Sequence, residues 1–304
     1  MPTLLKSPRL RIVLLGSAAG GGFPQWNCHC DSCQLAWSNK VKPQTQCSVA
    51  FTTDDVHWHL INASPDIRQQ ILNHPFLHPR EHRHSPIKSF WLSCADIDTT
   101  SGLFQVREQT PFNIYGSKEV IQSIQRNPYY DAFNTDLVKS YLVKPGEKTI
   151  LETTKIVSIA VPGKVPLYEE SSNAASNTLN NLAFLISHVD GKDKALICPG
   201  AAKVTPELIK IASQCKLVLF DGTLYSNTEL INQSLRDRLG EQMAHVAMGD
   251  ENGTLAAFRE IKSEKVYIHV NNSNPVWNPL SDAAQLVSEH GWKLGQDGME
   301  WVLC

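Results

Sequence analysis

Short apolar runs alternate with helical stretches along most of the chain, and no repeat or linker-like segment interrupts them. Ile12–Leu15 is a continuous apolar run closed by Gly16, the pattern of a buried strand. Val49–Thr52 and His57–Ile61 flank Asp54-Asp55 and read as two strands around a hairpin-like turn. Further strands are expected near Ser89–Leu92, Phe112–Tyr115, Ile156–Val161, Leu182–Ser187, Ala195–Cys198, Leu217–Phe220 and Lys265–His269. A helix is expected to open at Ser64-Pro65, with Ser64 as N-cap, and to run to Leu72. Others fall near Gly102–Arg107, Glu119–Gln125, Pro206–Ala212, Glu229–Leu239, Thr254–Ile261 and Asp282–Glu289. This alternation argues an α/β fold, and the early strand pair favours a mixed sheet over a purely parallel one. At roughly 100–200 residues per domain, 304 residues allow one large domain or two small ones; without a linker, one domain over 1–304 is expected.

Hydrophobic residues make up 42% of the chain and charged residues 19%, which suits a full core and excludes disorder by composition. A formal charge of −2 offers no basic footprint to nucleic acid. No apolar run approaches the roughly 18–20 residues that span a bilayer, and the stretch Met1 to Arg9 is too short for a signal peptide. A cytoplasmic protein is expected, acting on a small molecule without nucleic-acid or membrane partners, with a homodimer among its expected states.

Three of the eight cysteines fall within six residues, at Cys28, Cys30 and Cys33; Cys47, Cys94, Cys198, Cys215 and Cys304 are scattered singly. Disulfide frameworks belong to small secreted domains without a core, so this cluster reads as metal binding or redox chemistry. Thiolates at C-x-C-x-x-C spacing can take three corners of a tetrahedron around Zn²⁺, at about 2.3 Å each, leaving the fourth to another residue. The loop leading into the cluster, Gly16–Gly22, is glycine-rich but lacks the Lys-Ser/Thr of a phosphate-binding loop.

The run Gly16-Ser17-Ala18-Ala19-Gly20-Gly21-Gly22-Phe23-Pro24-Gln25-Trp26-Asn27-Cys28-His29-Cys30 resembles the opening signature of the PqqB family, the B proteins of pyrroloquinoline quinone (PQQ) biosynthesis. Asn62–Arg68, Phe220–Leu224, His269–Pro275 and Asp297–Met299 resemble further family blocks, in family order. The resemblance implies the metallo-β-lactamase αββα sandwich, mixed sheets flanked by helices. It also implies a structural zinc on Cys28, Cys30 and Cys33. In a related phosphodiesterase family with the same cluster, the fourth ligand is a histidine three residues after a metal-site histidine. Here that place is Asn272.

The superfamily holds two metals on a His-x-His-x-Asp-His turn plus later His and Asp residues, a pair suited to activating a bridging water. PqqB proteins keep an Asp-His pair, then Thr and a Gly-Leu helix start. In the matching stretch, Ser93–Leu103, Asp98 is retained but Thr99 stands in place of the histidine, and Cys94 and Asp96 take the two earlier ligand places. The segment Val165–Ser172 also lacks the histidine of the family's Ser-Pro-His-Arg-like stretch. Asp98, Asp221, His245 and His269 remain as candidate ligands of an active-site metal, with Asp98, His245 and His269 as the candidate catalytic set.

Two histidines and a carboxylate suit Fe(II) with open positions. The same residues also read as hydrogen-bonded members of a metal-free pocket. By resemblance, the first reading implies hydroxylation of the tyrosine ring of a glutamate–tyrosine precursor. The competing reading is a metal-free protein, or diverged pseudo-enzyme, that binds or carries PQQ or a precursor. For a hydrolase of the superfamily type the ligand set is incomplete. Among the other candidates, Cys94 is the one lone cysteine at a site position and Cys198 reads as packing. His57 and His59 share one strand face, expected to be solvated, and His74, His78, His82 and His84 fall in an exposed loop.

Overall fold

The computed structural model describes residues 9–166, 168–169 and 181–304. Residues 1–8, on which most of the signal-peptide reading falls, and 167 and 170–172 of the histidine-lacking segment lie outside them.

Strand β1 (Leu10–Gly16) shows why its sequence is apolar without alternation. Side chains of a strand point alternately to the two faces of its sheet. Ile12 and Leu14 join the core between two sheets, while Val13 and Leu15 pack under helices on the outer face. Burial on both faces removes any polar-out position from Ile12 to Leu15; Arg11, at the start of the strand, reaches out to Glu300.

The first sheet runs β14 (Glu300–Leu303), β1, β2 (Ser48–Thr52), β3 (Trp58–Ile61), β4 (Ile87–Trp91), β5 (Phe112–Gly116) and β6 (Val138–Leu142). The second runs β13 (Trp292–Leu294), β12 (Glu264–Ile268), β11 (Leu217–Asp221), β10 (Ala195–Cys198), β9 (Asn181–His188), β8 (Thr154–Val161) and β7 (Lys148–Leu151). Each sheet is half antiparallel and half parallel: β3 to β6 are parallel in one, β10 to β13 in the other. Between them lie Phe51, Trp91, Phe184, Leu219 and Ile268, all fully buried. Each such side chain stabilises the fold by about 1.5–3 kcal/mol. On the outer faces, α2 (Ile67–Asn73) and α4 (Lys118–Gln125) cover the first sheet; α5 (Pro206–Ala212), α7 (Thr254–Ala257) and α8 (Asp282–Glu289) cover the second. This is the expected αββα sandwich.

Three helices start on side-chain caps: Ser117, Thr205 (with Pro206 following) and Ser281 each accept a backbone N–H of the first turn. The helix expected from Ser64-Pro65 begins later, at Ile67; Ser64 Oγ accepts Asp66 N at 3.3 Å and donates to Gln70 Oε1 at 3.1 Å. The stretch expected as helix over 102–107 is a 3-10 segment, Ser101–Val106.

His59 overturns the expectation of a solvated face. It is 1% exposed, and its Nδ1 lies 2.8 Å from Ser89 Oγ, which accepts Trp91 Nε1 at 2.9 Å. With Trp91 donating to it, the Ser89 hydroxyl keeps its own proton available for His59 Nδ1, an arrangement that suits a neutral ring. Burial pushes the His59 pKa down to about 4. Because the folded pKa is depressed, the unfolded chain binds the proton first, and stability falls as pH drops through the unfolded value of about 6.5 toward 4. Between about pH 7 and pH 5 this group should remove about 2 kcal/mol. Denaturant midpoints at the two pH values should show that loss in the parent and not in His59→Gln; equal losses in both would refute the assignment.

Candidate metal centre and cleft

The parallel strands of both sheets end toward one cleft, the usual location of sites in α/β sheets. Beyond β4, the turn 92–96 leads into the short helix α3 (Ile97–Thr100), which carries Asp98. Asp221 is the last residue of β11, His269 follows β12, and His245 follows a 3-10 turn at Glu241–Met243. His269 has φ 55°, a left-handed conformation costly for a residue with a Cβ and found where a site demands it.

Asp221 is fully buried and accepts four hydrogen bonds. Thr223 N (3.0 Å) and Thr223 Oγ1 (2.6 Å) reach Oδ1; Ala201 N (3.0 Å) and His245 Nδ1 (2.7 Å) reach Oδ2. Thr223 Oγ1 gives its only proton to that carboxylate, so it accepts from His269 Nδ1 at 2.8 Å. The other ring nitrogen, His269 Nε2, faces Asp98 Oδ2 at 2.9 Å. Both ring nitrogens thus face oxygens placed to accept, an arrangement that favours the protonated ring.

The electrostatics agree with this bonding. Burial raises the Asp221 pKa, but the charge and hydrogen bond of His245 hold it below the usual carboxylate range. Burial likewise raises that of Asp98, and the His269 hydrogen bond and charge bring it down. For His269 burial favours the neutral ring, yet the Asp98 hydrogen bond with the Asp98 and Asp221 charges raises its pKa.

Asp221, His245 and His269 place ligand atoms within 4.8 Å of one another, and Asp98 adjoins through His269. All four candidate ligands are thus brought to one place. As a donor set, two imidazoles with carboxylates fit a divalent transition metal. Such an ion would have to displace the Nε2 proton of His269. Cys94 is not among the converging donors: burial, then the Asp96 and Asp98 charges, push its thiol far up, so it stays protonated. Thr99 is turned to the backbone, its Oγ1 donating to Asp96 O at 2.8 Å.

The sulfurs of Cys28, Cys30 and Cys33 also lie within 4.8 Å of one another, Cys28 and Cys30 on the loop entering α1 (Asp31–Trp37) and Cys33 in its first turn. The Asn272 side-chain amide stands 3.3 Å from Cys33 Sγ and 3.8 Å from Cys30 Sγ, at the open side of the cluster. Three thiols with a neutral amide beside them fit a thiophilic ion such as Zn²⁺. His269 and Asn272, three residues apart, join the two centres through one loop.

Sequence reasoning missed Thr223 as the hub of the cleft, although it stood in a recognised Asp-Gly-Thr block. It also missed Glu229, on the short helix α6 (Glu229–Asn232). Glu229 is 4% exposed and accepts from Tyr225 N (2.7 Å) and Ser273 Oγ (2.5 Å), and Ser273 Oγ accepts from Asn271 Nδ2 (2.5 Å). Burial pushes its pKa up to about 7. A lone glutamate in a helix-like stretch carries no signal of this role. His74, His78 and His84 are half-buried and His82 exposed, and none joins a donor group among the described residues. Cys198 is packed in the core.

A family model described as "Beta-lactamase superfamily domain" matches residues 57–270. Coenzyme PQQ synthesis protein B of Ruegeria pomeroyi is 36% identical over 295 residues, covering 97% of this chain and 100% of that protein. Its namesake from Xanthomonas campestris pv. campestris is 38% identical, covering 96% and 99%. The crystal structure of Zn²⁺-bound PqqB from Methylobacterium extorquens superposes with a TM-score of 0.91 at 36% identity, covering 96% of this chain and 99% of that one. A diphosphatase of the PhnP family shares the fold alone, with a TM-score of 0.69 at 16% identity over 97% of this chain and 98% of that one. With relatives this similar over nearly its full length, the chain belongs to the coenzyme PQQ synthesis protein B family, within the β-lactamase superfamily.

Proposed function

We propose that the chain works in coenzyme PQQ synthesis, as its relatives' name states, by metal-dependent oxidation of a tyrosine-derived precursor in the cleft. The observation that carries this reading is the convergence of His245, His269, Asp98 and Asp221 from separate loops onto one cleft, despite Thr99. His245 and His269 with one of the carboxylates would hold Fe(II), which supplies the redox chemistry when bound. The chain's own groups do the positioning. Asp221 fixes the His245 tautomer and leaves Nε2 as the remaining ring donor. Thr223 locks His269 from behind, and Asp98 stands where it can take the Nε2 proton.

A second reading, a metal-free protein that holds PQQ or a precursor, is favoured by Thr99, whose hydroxyl is spent on the backbone. Anaerobic Fe(II) titration separates the two. One iron per chain should bind, apart from zinc; His245→Ala and His269→Ala should each abolish it, and Thr99→His should tighten it about tenfold. No site in the parent, with one created in Thr99→His, would establish the binding-protein reading.

The same loss of a ligand argues against a two-metal hydrolase. Phosphodiester and β-lactam substrates should turn over no faster than buffer with zinc added. Sustained turnover that disappears in His269→Ala would overturn this.

Zinc is proposed for the Cys28, Cys30 and Cys33 cluster, with Asn272 beside it; the relative from Methylobacterium extorquens is described as Zn²⁺-bound. Elemental analysis should find zinc at one per chain in protein purified without chelators, lost in Cys30→Ser along with protection of the 16–34 segment in hydrogen exchange. Asn272→His should slow zinc release to a chelator by offering a better fourth donor. Stoichiometric zinc surviving in Cys30→Ser would show that the cluster is not its site.

A further inference from the structure

The cleft beside His245 and His269 has a volume of about 430 Å³, within the range of small-molecule sites. Two polar side chains on its wall take no part in the network around Asp221. Ser93 lies in the turn after β4 and is 4% exposed; Asn181 opens β9 and is 9% exposed. Neither the Ser93 hydroxyl nor the Asn181 amide makes a hydrogen bond among the described residues. The side-chain atoms sealed in the core without a partner are instead those of Trp58, Asn62 and Trp292. The unbonded atoms of Ser93 and Asn181 are therefore open, and both residues line the cleft. An amide or hydroxyl placed this deeply is rarely left without a partner, because giving up the hydrogen bonds of water is costly. The partner has to enter through the cleft.

The backbone holds the two together and in place. Leu182 N donates to Ser93 O at 2.7 Å, tying the start of β9 in the second sheet to the turn after β4 in the first. Asn181 pairs with Val161 at the end of β8, and two residues further on Gly163 backs the amide: a Cβ there would stand 2.2 Å from Asn181 Cγ. Only a glycine leaves that side chain its place. Toward the site, a Cβ on Gly200 would stand 3.7 Å from Asn181 Nδ2 and 3.4 Å from His245 Cε1, so the amide and the imidazole flank the same bare backbone.

We infer that Asn181 and Ser93 seat the phenol oxygen of the ring presented to the His245–His269 centre, and so select a hydroxylated ring over a plain one. This rests on the proposed oxidation of a tyrosine-derived precursor, which brings the ring to that centre. A phenol hydroxyl donates one hydrogen bond and accepts others, and an amide and a serine hydroxyl can each do the same. A ring without the hydroxyl would leave both side chains unpaired as water is expelled, which is how a polar seat rejects an analogue lacking the polar group.

The probes are the dipeptides glutamyl-tyrosine and glutamyl-phenylalanine, each titrated calorimetrically into the zinc-containing, iron-free protein. The parent should bind the tyrosine dipeptide about tenfold tighter, and Asn181→Leu should bring the two within about twofold of each other. Ser93→Ala should narrow the gap by a smaller factor. Asn181→Leu should melt at or above the parental temperature, since it replaces an unbonded amide by an apolar side chain of similar shape. Asn181→Ala, which cannot crowd the wall, should lose the same preference. A side chain that served packing alone would alter melting and leave the preference between the dipeptides unmoved. Equal affinities in the parent would overturn the phenol seat, and a preference that survives in both Asn181 variants would overturn its assignment to Asn181. Failure of either dipeptide to bind the parent would overturn the precursor reading and the seat with it. The pathway reading is tested separately by restoring PQQ production to a strain lacking its own B protein. No restoration there, with Asn181-dependent discrimination intact, sinks the pathway reading and leaves the seat standing.

Discussion

The buried carboxylate of Asp221 is the constraint around which the cleft is organised. A charge with no exposure is tolerated only when its desolvation is offset by hydrogen bonds, and Asp221 receives four. Those donors come from the 201 turn, from Thr223 just beyond β11, and from His245, so one carboxylate ties together three connections of the second sheet. Through the Thr223 hydroxyl the tie extends to His269, and from its Nε2 across to Asp98 of the first sheet. Removing any donor would strand part of that charge, which is why the ring orientations in the cleft are determined so tightly.

The loop from His269 to Asn274 carries this order outward. His269 belongs to the cleft, Asn271 and Ser273 reach Glu229, and Asn272 closes over the sulfurs of Cys30 and Cys33. A metal bound by the cysteine cluster would therefore brace the same short loop that positions the cleft imidazole. The cluster's place in function follows from this shared backbone rather than from contact with a substrate.

Much of the sandwich was legible because its central strands are buried on both faces and leave continuous apolar runs. The strands that escaped, β6, β7, β13 and β14, are the edge strands of the two sheets, three to five residues long, too short for a two-residue alternation to stand out in the sequence. Helix ends were overextended for a backbone reason in one case: the stretch from Glu229 stops at Asn232 because Ser234 turns left-handed at φ 55°. The buried state of His59 was invisible for a different reason. A histidine on a strand looks the same whether its face meets water or meets Ser89 and Phe51 across neighbouring strands.

What the sequence by itself determined is what acts over a few residues: the alternating α/β pattern, the cysteine cluster held within six positions, and the blocks that mark the family. Tertiary structure alone decided which ionisable groups face each other. Asp98 meets His269 across 171 positions and Asp221 meets His245 across 24, contacts that no local period encodes. It also set the protonation of those groups, since burial and partner charge oppose each other there and only their distances settle which prevails.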